Sequence, residues 1–213
     1  MQQMLCSVCS GPVRMGLCAF TAQAFCLRRF FVSVRYWKSG ANYDRNRRID
    51  MNNWTIRAVC PEDADFLTTL MNTPGLMTRL HQTPTGKRDW EESITLWLAD
   101  ADEEGYIVSS QGQQVGWVAV NGLLSPQKLP YLKIAVLLPE FQNQGLGRQS
   151  IRQLMAELRK RGYPAIRLFV DQDNRKARRC YESCGFQSVG TVCQQWPDGT
   201  VCTQLEMEAT IVL

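Results

Sequence analysis

The stretch Leu138-Pro-Glu-Phe-Gln-Asn-Gln-Gly-Leu-Gly-Arg-Gln-Ser150 decides how the chain folds. Just before it, Tyr131 to Leu138 is an apolar run that reads as a strand. Just after it, Ile151, Leu154, Met155 and Leu158 recur at helical spacing. The stretch is therefore a strand-to-helix turn, with Gly145 and Gly147 where the helix opens. A helix start exposes unpaired backbone N–H groups and the positive end of the dipole, and glycine lets an anion approach that backbone closely. No Lys-Ser/Thr pair follows the glycines, so this is not a P-loop. Ser150 and Ile151 stand where the third glycine of a dinucleotide fingerprint would be. An anion site held by main-chain amides and a plain turn both remain open.

On the N-terminal side, Thr55–Val59 reads as a strand, and Pro61-Glu62-Asp63 starts a helix with Phe66, Leu67, Leu70 and Met71 on one stripe. Asn72-Thr-Pro-Gly75 stops it. Trp90, Ile94, Trp97 and Leu98 mark a second helix, and Tyr106–Ser109 and Val115–Val120 a hairpin. On the C-terminal side the helix runs from about Gly147 to Arg161 and ends at Gly162. Ile166–Val170 is a buried strand. Arg175–Ser183 is a helix stopped by Gly185. Gln187–Gln195 and Thr200–Ile211 flank the turn Trp196-Pro-Asp-Gly199. The order β-α-α-β-β-β-α-β-α-β-β predicts an α+β fold around a mixed sheet.

The chain has 213 residues, 45% hydrophobic and 21% charged, which is enough for a full core. Its charge is uneven. Residues 1–50 carry eight Lys/Arg against two Asp, and the remainder sixteen Lys/Arg against eighteen Asp/Glu. A net acidic body argues against a nucleic-acid partner. Between Arg14 and Arg28 lie thirteen uncharged residues, too few for a membrane span. That segment imitates a signal or transit peptide, and residues 1–50 read as an extension outside the folded unit, with Met51 as the native initiator and 52–211 as the domain. Cys6, Cys9, Cys18 and Cys26 fall in the extension. The other five, Cys60, Cys180, Cys184, Cys193 and Cys202, are scattered among apolar neighbours, as expected of reduced thiols in a cytoplasmic protein. Cys6-x-x-Cys9 lacks a second pair, and the only histidine, His81, is remote from it, so no metal site is expected. One histidine also argues against a Ser-His-Asp or Cys-His system.

A second constellation follows some thirty residues after the glycines. Asn174 stands at a strand end, Tyr181 seven residues on, and Gly185-Phe186 after that. Seven residues are two helical turns, so Asn174 and Tyr181 share a side of one helix. Arg175, Lys176, Arg178 and Arg179 form a basic run between them, readable as attraction for phosphates or as a solvated face. Tyr181 on its own reads equally as a capped core tyrosine, and Asn174 as a helix cap.

Together, Pro139, Gln142-x-x-Gly145-x-Gly147 and Asn174-x-x-Ala177-x-x-x-Tyr181-x-x-x-Gly185-Phe186 resemble the GNAT superfamily of N-acetyltransferases, over about residues 54–211. The resemblance implies acetyl-CoA as cosubstrate and direct transfer to a primary amine. It implies that Gln142, Asn143, Gln144, Gly145, Leu146, Gly147 and Arg148 form the pyrophosphate loop. It implies that Val136 and Leu137 bind the pantetheine by main chain on a splayed strand, and that Asn174 contacts the cofactor or a bound water. Tyr181 corresponds to the general acid that protonates the departing thiolate. Homodimers are common in the superfamily. Enzymes of the family that act on ribosomal-protein amino termini carry a Glu where this chain has Phe169, which counts against an amino terminus as acceptor; a small-molecule amine is expected, with a protein lysine or amino terminus as the alternative. The base is unassigned: Asp171 shares the strand face of Phe169, and Glu140, Glu91 and Glu92 are alternatives. A CoA-binding regulatory module without turnover is the competing class.

Overall fold

A computed structural model describes residues 49–51, 54–125, 127, 129–196 and 199–211. The four N-terminal cysteines and the leader-like segment lie outside the described residues. Strand β1 is Ile49–Met51 and β2 Trp54–Ala58. Helices α1 (Ala64–Met71), α2 (Pro74–Leu80) and α3 (Lys87–Ala99) follow. Then come β3 (Glu104–Ser110), β4 (Gln113–Asn121), β5 (Tyr131–Leu137), α4 (Leu146–Lys160), β6 (Ala165–Asp171), α5 (Arg175–Glu182), β7 (Gln187–Gln195) and β8 (Val201–Thr210). The predicted α+β class and the predicted elements are all present.

Two elements were not foreseen. One is β1, which pairs antiparallel with β2. The other is α2. Asn72-Thr-Pro-Gly75 does end α1, but the same residues begin a new helix, with Thr73 extended at its N-cap and Pro74 in its first turn, where the fixed φ of proline and its missing N–H cost nothing.

The strands form one sheet in the order β1-β2-β3-β4-β5-β6-β8-β7. Each neighbouring pair is antiparallel except β5–β6, which is parallel. The period-2 alternation of β4 sorts two cores onto its two faces. Trp117 and Ala119 pack with Leu67, Leu70, Trp90 and Ile94 of α1 and α3. Val118 and Val120 pack with Ile151, Leu154 and Leu158 of α4.

One irregularity shapes the centre. In the β4–β5 register Ala119 pairs with Ile134 but Val120 pairs with Leu132, so Lys133 is an extra residue. Such a bulge bends its strand. Before it, Tyr131 pairs with Arg167 of β6; beyond it no further β5–β6 register pair occurs among the described residues. From Lys133 onward the strands diverge and leave a gap in the middle of the sheet.

Candidate active site

The turn after β5 is built by local chemistry. A 3-10 turn, Pro139–Phe141, leads into it. Gln142 Nε2 donates to the Leu137 carbonyl at 2.9 Å, and Gln144 Nε2 to the Glu140 carbonyl at 2.7 Å, folding the loop back on its own entry. Asn143 and Gly145 then take positive φ, 60° and 86°. Gly145 is the N-cap of α4, and no side chain caps that helix start. The first N–H groups of α4 thus face a cavity of about 800 Å³ lined by Asn143, Gly145, Gly147, Arg148, Arg175 and Lys176. Orphan amides, a dipole end and three cations suit an anion of several charges.

The loop residues do not act alike. Gln142, Asn143, Gly145, Gly147 and Arg148 line the cavity, while Gln144 and Leu146 do not. Leu146 is buried in the core. Half of the basic run also turns away: Arg178 Nη1 donates to the Gln172 carbonyl at 3.0 Å, and Arg179 does not line the cavity.

The gap beside β5 supplies main-chain groups. The Leu138 N–H donates to the Val115 carbonyl on β4 at 2.8 Å. Peptide groups alternate in direction along an antiparallel strand, so Val136 turns toward β4 and Ala135 and Leu137 toward the gap. The close approach of Gly116 agrees: a Cβ there would lie 2.5 Å from the Val136 carbonyl oxygen. Ala135 therefore takes the place expected of Val136, whose peptide is engaged within the sheet.

Asn174 ends the loop after β6. Its Oδ1 accepts from the Ala177 N–H at 3.3 Å, capping α5. Tyr181 lies two turns along, with its ring 5.8 Å from that of Phe186. It is half-buried, and its hydroxyl has no hydrogen-bond partner among the described residues. Burial raises its pKa well above that of an ordinary phenol, with the neighbouring Cys180 and Cys184 adding to the effect. Asn174 and Tyr181 line the large cavity and also a second one of about 260 Å³. Ala135 and Ala177 belong to both as well.

The second cavity has aromatic walls, including Trp90, Trp97, Trp117, Phe169 and Trp196. Trp97 stacks on Trp117 at 5.3 Å, and Trp90 meets Trp117 edge-on at 5.7 Å. Lys133, the bulge residue, sits over the Trp97 ring and pairs with Glu103 at 2.6 Å, both side chains nearly buried. Burial lowers the Lys133 pKa, and the Glu103 carboxylate opposes that.

Of the acids considered as bases, Asp171 lines this cavity; Glu140, Glu91 and Glu92 do not line either cavity and are exposed. Asp171 is 13% exposed and fully engaged. Its Oδ1 accepts from Gln204 Nε2 at 2.9 Å and from the Cys202 thiol at 3.4 Å, and its Oδ2 lies 3.2 Å from His81 Nε2. The His81 ring stacks on Trp196, centroids 4.5 Å apart. The polar side-chain atoms of His81, Asp171 and Cys202 thus converge within 4.8 Å of one another. Sequence reasoning set His81 aside as remote. Ninety residues separate it from Asp171, and no local pattern records that meeting.

The sheet thus opens at its one parallel pair among the described residues, an uncapped helix start faces that opening, and a tyrosine stands between two cavities. The family model of the acetyltransferase (GNAT) family matches residues 73–186, more than half of the chain. The chain belongs to that family. Among curated relatives, an uncharacterized N-acetyltransferase of Methanocaldococcus jannaschii is 27% identical over 143 residues, 64% of this chain and 62% of that one. The mycothiol acetyltransferase of Thermomonospora curvata is 34% identical over 99 residues, 46% of this chain and 29% of that one. The chain thus spans less than two thirds of either relative. Among solved structures, spermidine N-acetyltransferase from Vibrio cholerae in complex with CoA and spermine superposes with a TM-score of 0.68. The two are 23% identical, over 74% of this chain and 95% of that one, a likeness of fold. Among the described residues no helix is long and apolar enough to cross a membrane.

Proposed function

We propose that the protein transfers the acetyl group of acetyl-CoA directly to the primary amine of a small molecule. The observation that carries this reading is the position of Tyr181 at the junction of the two cavities. In this reading the amides at the start of α4 hold the pyrophosphate, and Arg148, Arg175 and Lys176 balance its charge. The gap-facing peptides of Ala135 and Leu137 hold the pantetheine, and the Ala135 N–H polarises the thioester carbonyl as charge develops on its oxygen. Tyr181, kept protonated by burial, gives its proton to the departing thiolate. Asn174 holds α5, and with it Tyr181, in place by its cap.

The aromatic cavity supports a small acceptor. Its volume of about 260 Å³ lies near the lower end of ligand pockets. Its charged lining groups are Arg79, Lys133 and Asp171, two cations and one acid, the acid already hydrogen-bonded. A polycation would find little to pair with there, so a monoamine with an apolar or aromatic body fits better than a polyamine. Phe169 in its wall matches the departure from the branch that acetylates amino termini.

The test is thiol release from acetyl-CoA across a panel of monoamines, polyamines, amino acids and lysine-bearing peptides. Release with a compact monoamine is expected. Turnover of peptides alone would move the acceptor to protein. Tight CoA binding without release from any amine would make the chain a regulatory module.

A further inference from the structure

We infer that His81, held by Asp171, is the general base that takes the proton of the acceptor amine; the inference rests on the acetyl-transfer reading above. His81 closes α2 in the left-handed region, φ 49°, a conformation that histidine adopts more readily than most residues. That turn carries its ring to the cavity wall, where Trp196 stacks against it. A carboxylate only accepts hydrogen bonds. The contact with Asp171 Oδ2 therefore places the ring proton on Nε2, and Nδ1 keeps its lone pair. Nδ1 has no hydrogen-bond partner among the described residues. Asp171 is a positioning residue: both its oxygens are occupied, by His81 on one side and by Gln204 and Cys202 on the other. The Cys202 thiol remains protonated, since burial raises its pKa.

His81 and Tyr181 line the same cavity, so a base and an acid attend the two ends of one transfer. The amine arrives as an ammonium. His81 Nδ1 takes one proton and passes it to solvent. The freed lone pair forms the N–C bond to the acetyl carbon, and the C–S bond breaks with its electrons going to sulfur. Tyr181 protonates the thiolate, and the second proton lost by the nitrogen restores the phenol. One proton is released for each acetyl group transferred. The charged and titratable groups around His81 are Asp171 from β6, Cys202 from β8, and the Arg79–Asp173 pair, 3.5 Å apart, from α2 and the loop before α5.

The experiment measures kcat against pH with a saturating amine from the panel, for the wild type, His81→Gln and Asp171→Asn, with CoA affinity by calorimetry for each. A protonated His81 takes no second proton at Nδ1, so the wild-type kcat falls toward acid pH. His81→Gln should lose kcat on the order of 10²–10⁴-fold, the usual range for a general base. It should lose the acid limb, keep its CoA affinity, and recover part of its rate with added imidazole. Asp171→Asn removes the charge that stabilises the imidazolium, so its limb should move to lower pH at a reduced maximum. This variant leaves His81 in place and reads the same assignment should His81→Gln not fold. A His81→Gln enzyme that keeps the limb, or loses rate equally at every pH without response to imidazole, would overturn the dyad while leaving the acetyltransferase standing. A wild type that binds CoA but releases no thiol with any amine would overturn both.

Discussion

Tyr131 and Arg167 are the one register pair that joins β5 to β6 among the described residues. The cause lies two residues on, in the bulge at Lys133. The sheet is continuous through β6, β8 and β7 on one side and through β5, β4 and β3 on the other, so the opening falls at its centre. Three things meet there: the gap-facing peptide groups of Ala135 and Leu137, with the Leu137 carbonyl already held by Gln142; the uncapped start of α4; and Tyr181 from α5. The same bulge residue reaches the other way, beneath Trp97 and against Glu103, so a single inserted residue shapes both cavities.

Replacing Tyr181 by Phe removes one hydroxyl and leaves the ring against Phe186. Since that hydroxyl has no partner among the described residues, the fold should lose little. Loss of a general acid costs on the order of 10²–10⁴ in kcat, whereas CoA affinity should hold. Steady-state kinetics and calorimetry on the same preparation separate the two; an unchanged kcat removes Tyr181 from the role.

Gly145 stands at φ 86°, where a side chain is strained by about 1–2 kcal/mol. Gly145→Val adds a branched group where the pyrophosphate would approach the α4 amides. Loss of CoA binding is expected, seen by calorimetry, with only a modest fall in melting temperature. CoA binding at the wild-type affinity would show that the loop is a turn and no cradle.

Cys184 and Cys180 lie one helical turn apart. A hydrogen bond from Cys180 lowers Cys184 to about 7 against its burial, with Ser183, Arg152 and Arg148 adding to that, while Cys180 is driven the opposite way. Alkylation at Cys184 should therefore accelerate as pH rises through about 7, with Cys180 unlabelled. Peptide mapping after timed exposure to an alkylating reagent gives both rates. Preferential labelling of Cys180 would contradict the assignment.

Asp63 is 1% exposed. It accepts from Arg57 Nη1 at 2.8 Å and Nη2 at 2.5 Å, from Cys60 N at 2.8 Å and from Gln114 Nε2 at 2.6 Å. Burial raises its pKa, but Arg57 and the Cys60 N–H outweigh that, and the net shift is downward. A depressed carboxyl stabilises the fold above its unfolded value of about 3.9 and stops doing so as pH falls through its folded value. Asp63→Asn should cost about 3 kcal/mol at neutral pH, the lower end for breaking a buried pair because Arg57 keeps some solvent. Its stability should also fall less than that of the wild type on acidification, measured by denaturant unfolding across pH.

Much of this architecture was legible in residue order. Apolar periodicity placed every strand but β1 and all helices but one, and the glycines, with Asn174 and Tyr181 at their spacing, marked the loop and the start and last turn of α5. That helix, α2, was hidden because Thr73-Pro74 ends one helix and starts the next, and a proline carries the same local signature in both roles. The direction of a single peptide group, Ala135 or Val136, was hidden too, since it depends on where β4 pairs with β5.

The sequence by itself determined every element but β1 and α2, the α+β class and the residues around the glycine turn, because helix starts, turn conformations and face periodicity are set within a few residues of chain. Tertiary structure alone decided what lines the aromatic cavity. It carried His81 from the end of α2 to Asp171 at the end of β6, took Glu140 out of consideration, and closed Trp90, Trp97 and Trp196 around one cavity. Those encounters depend on strand order and on the bend at Lys133, and long-range packing of that kind leaves no periodicity in the chain to be read.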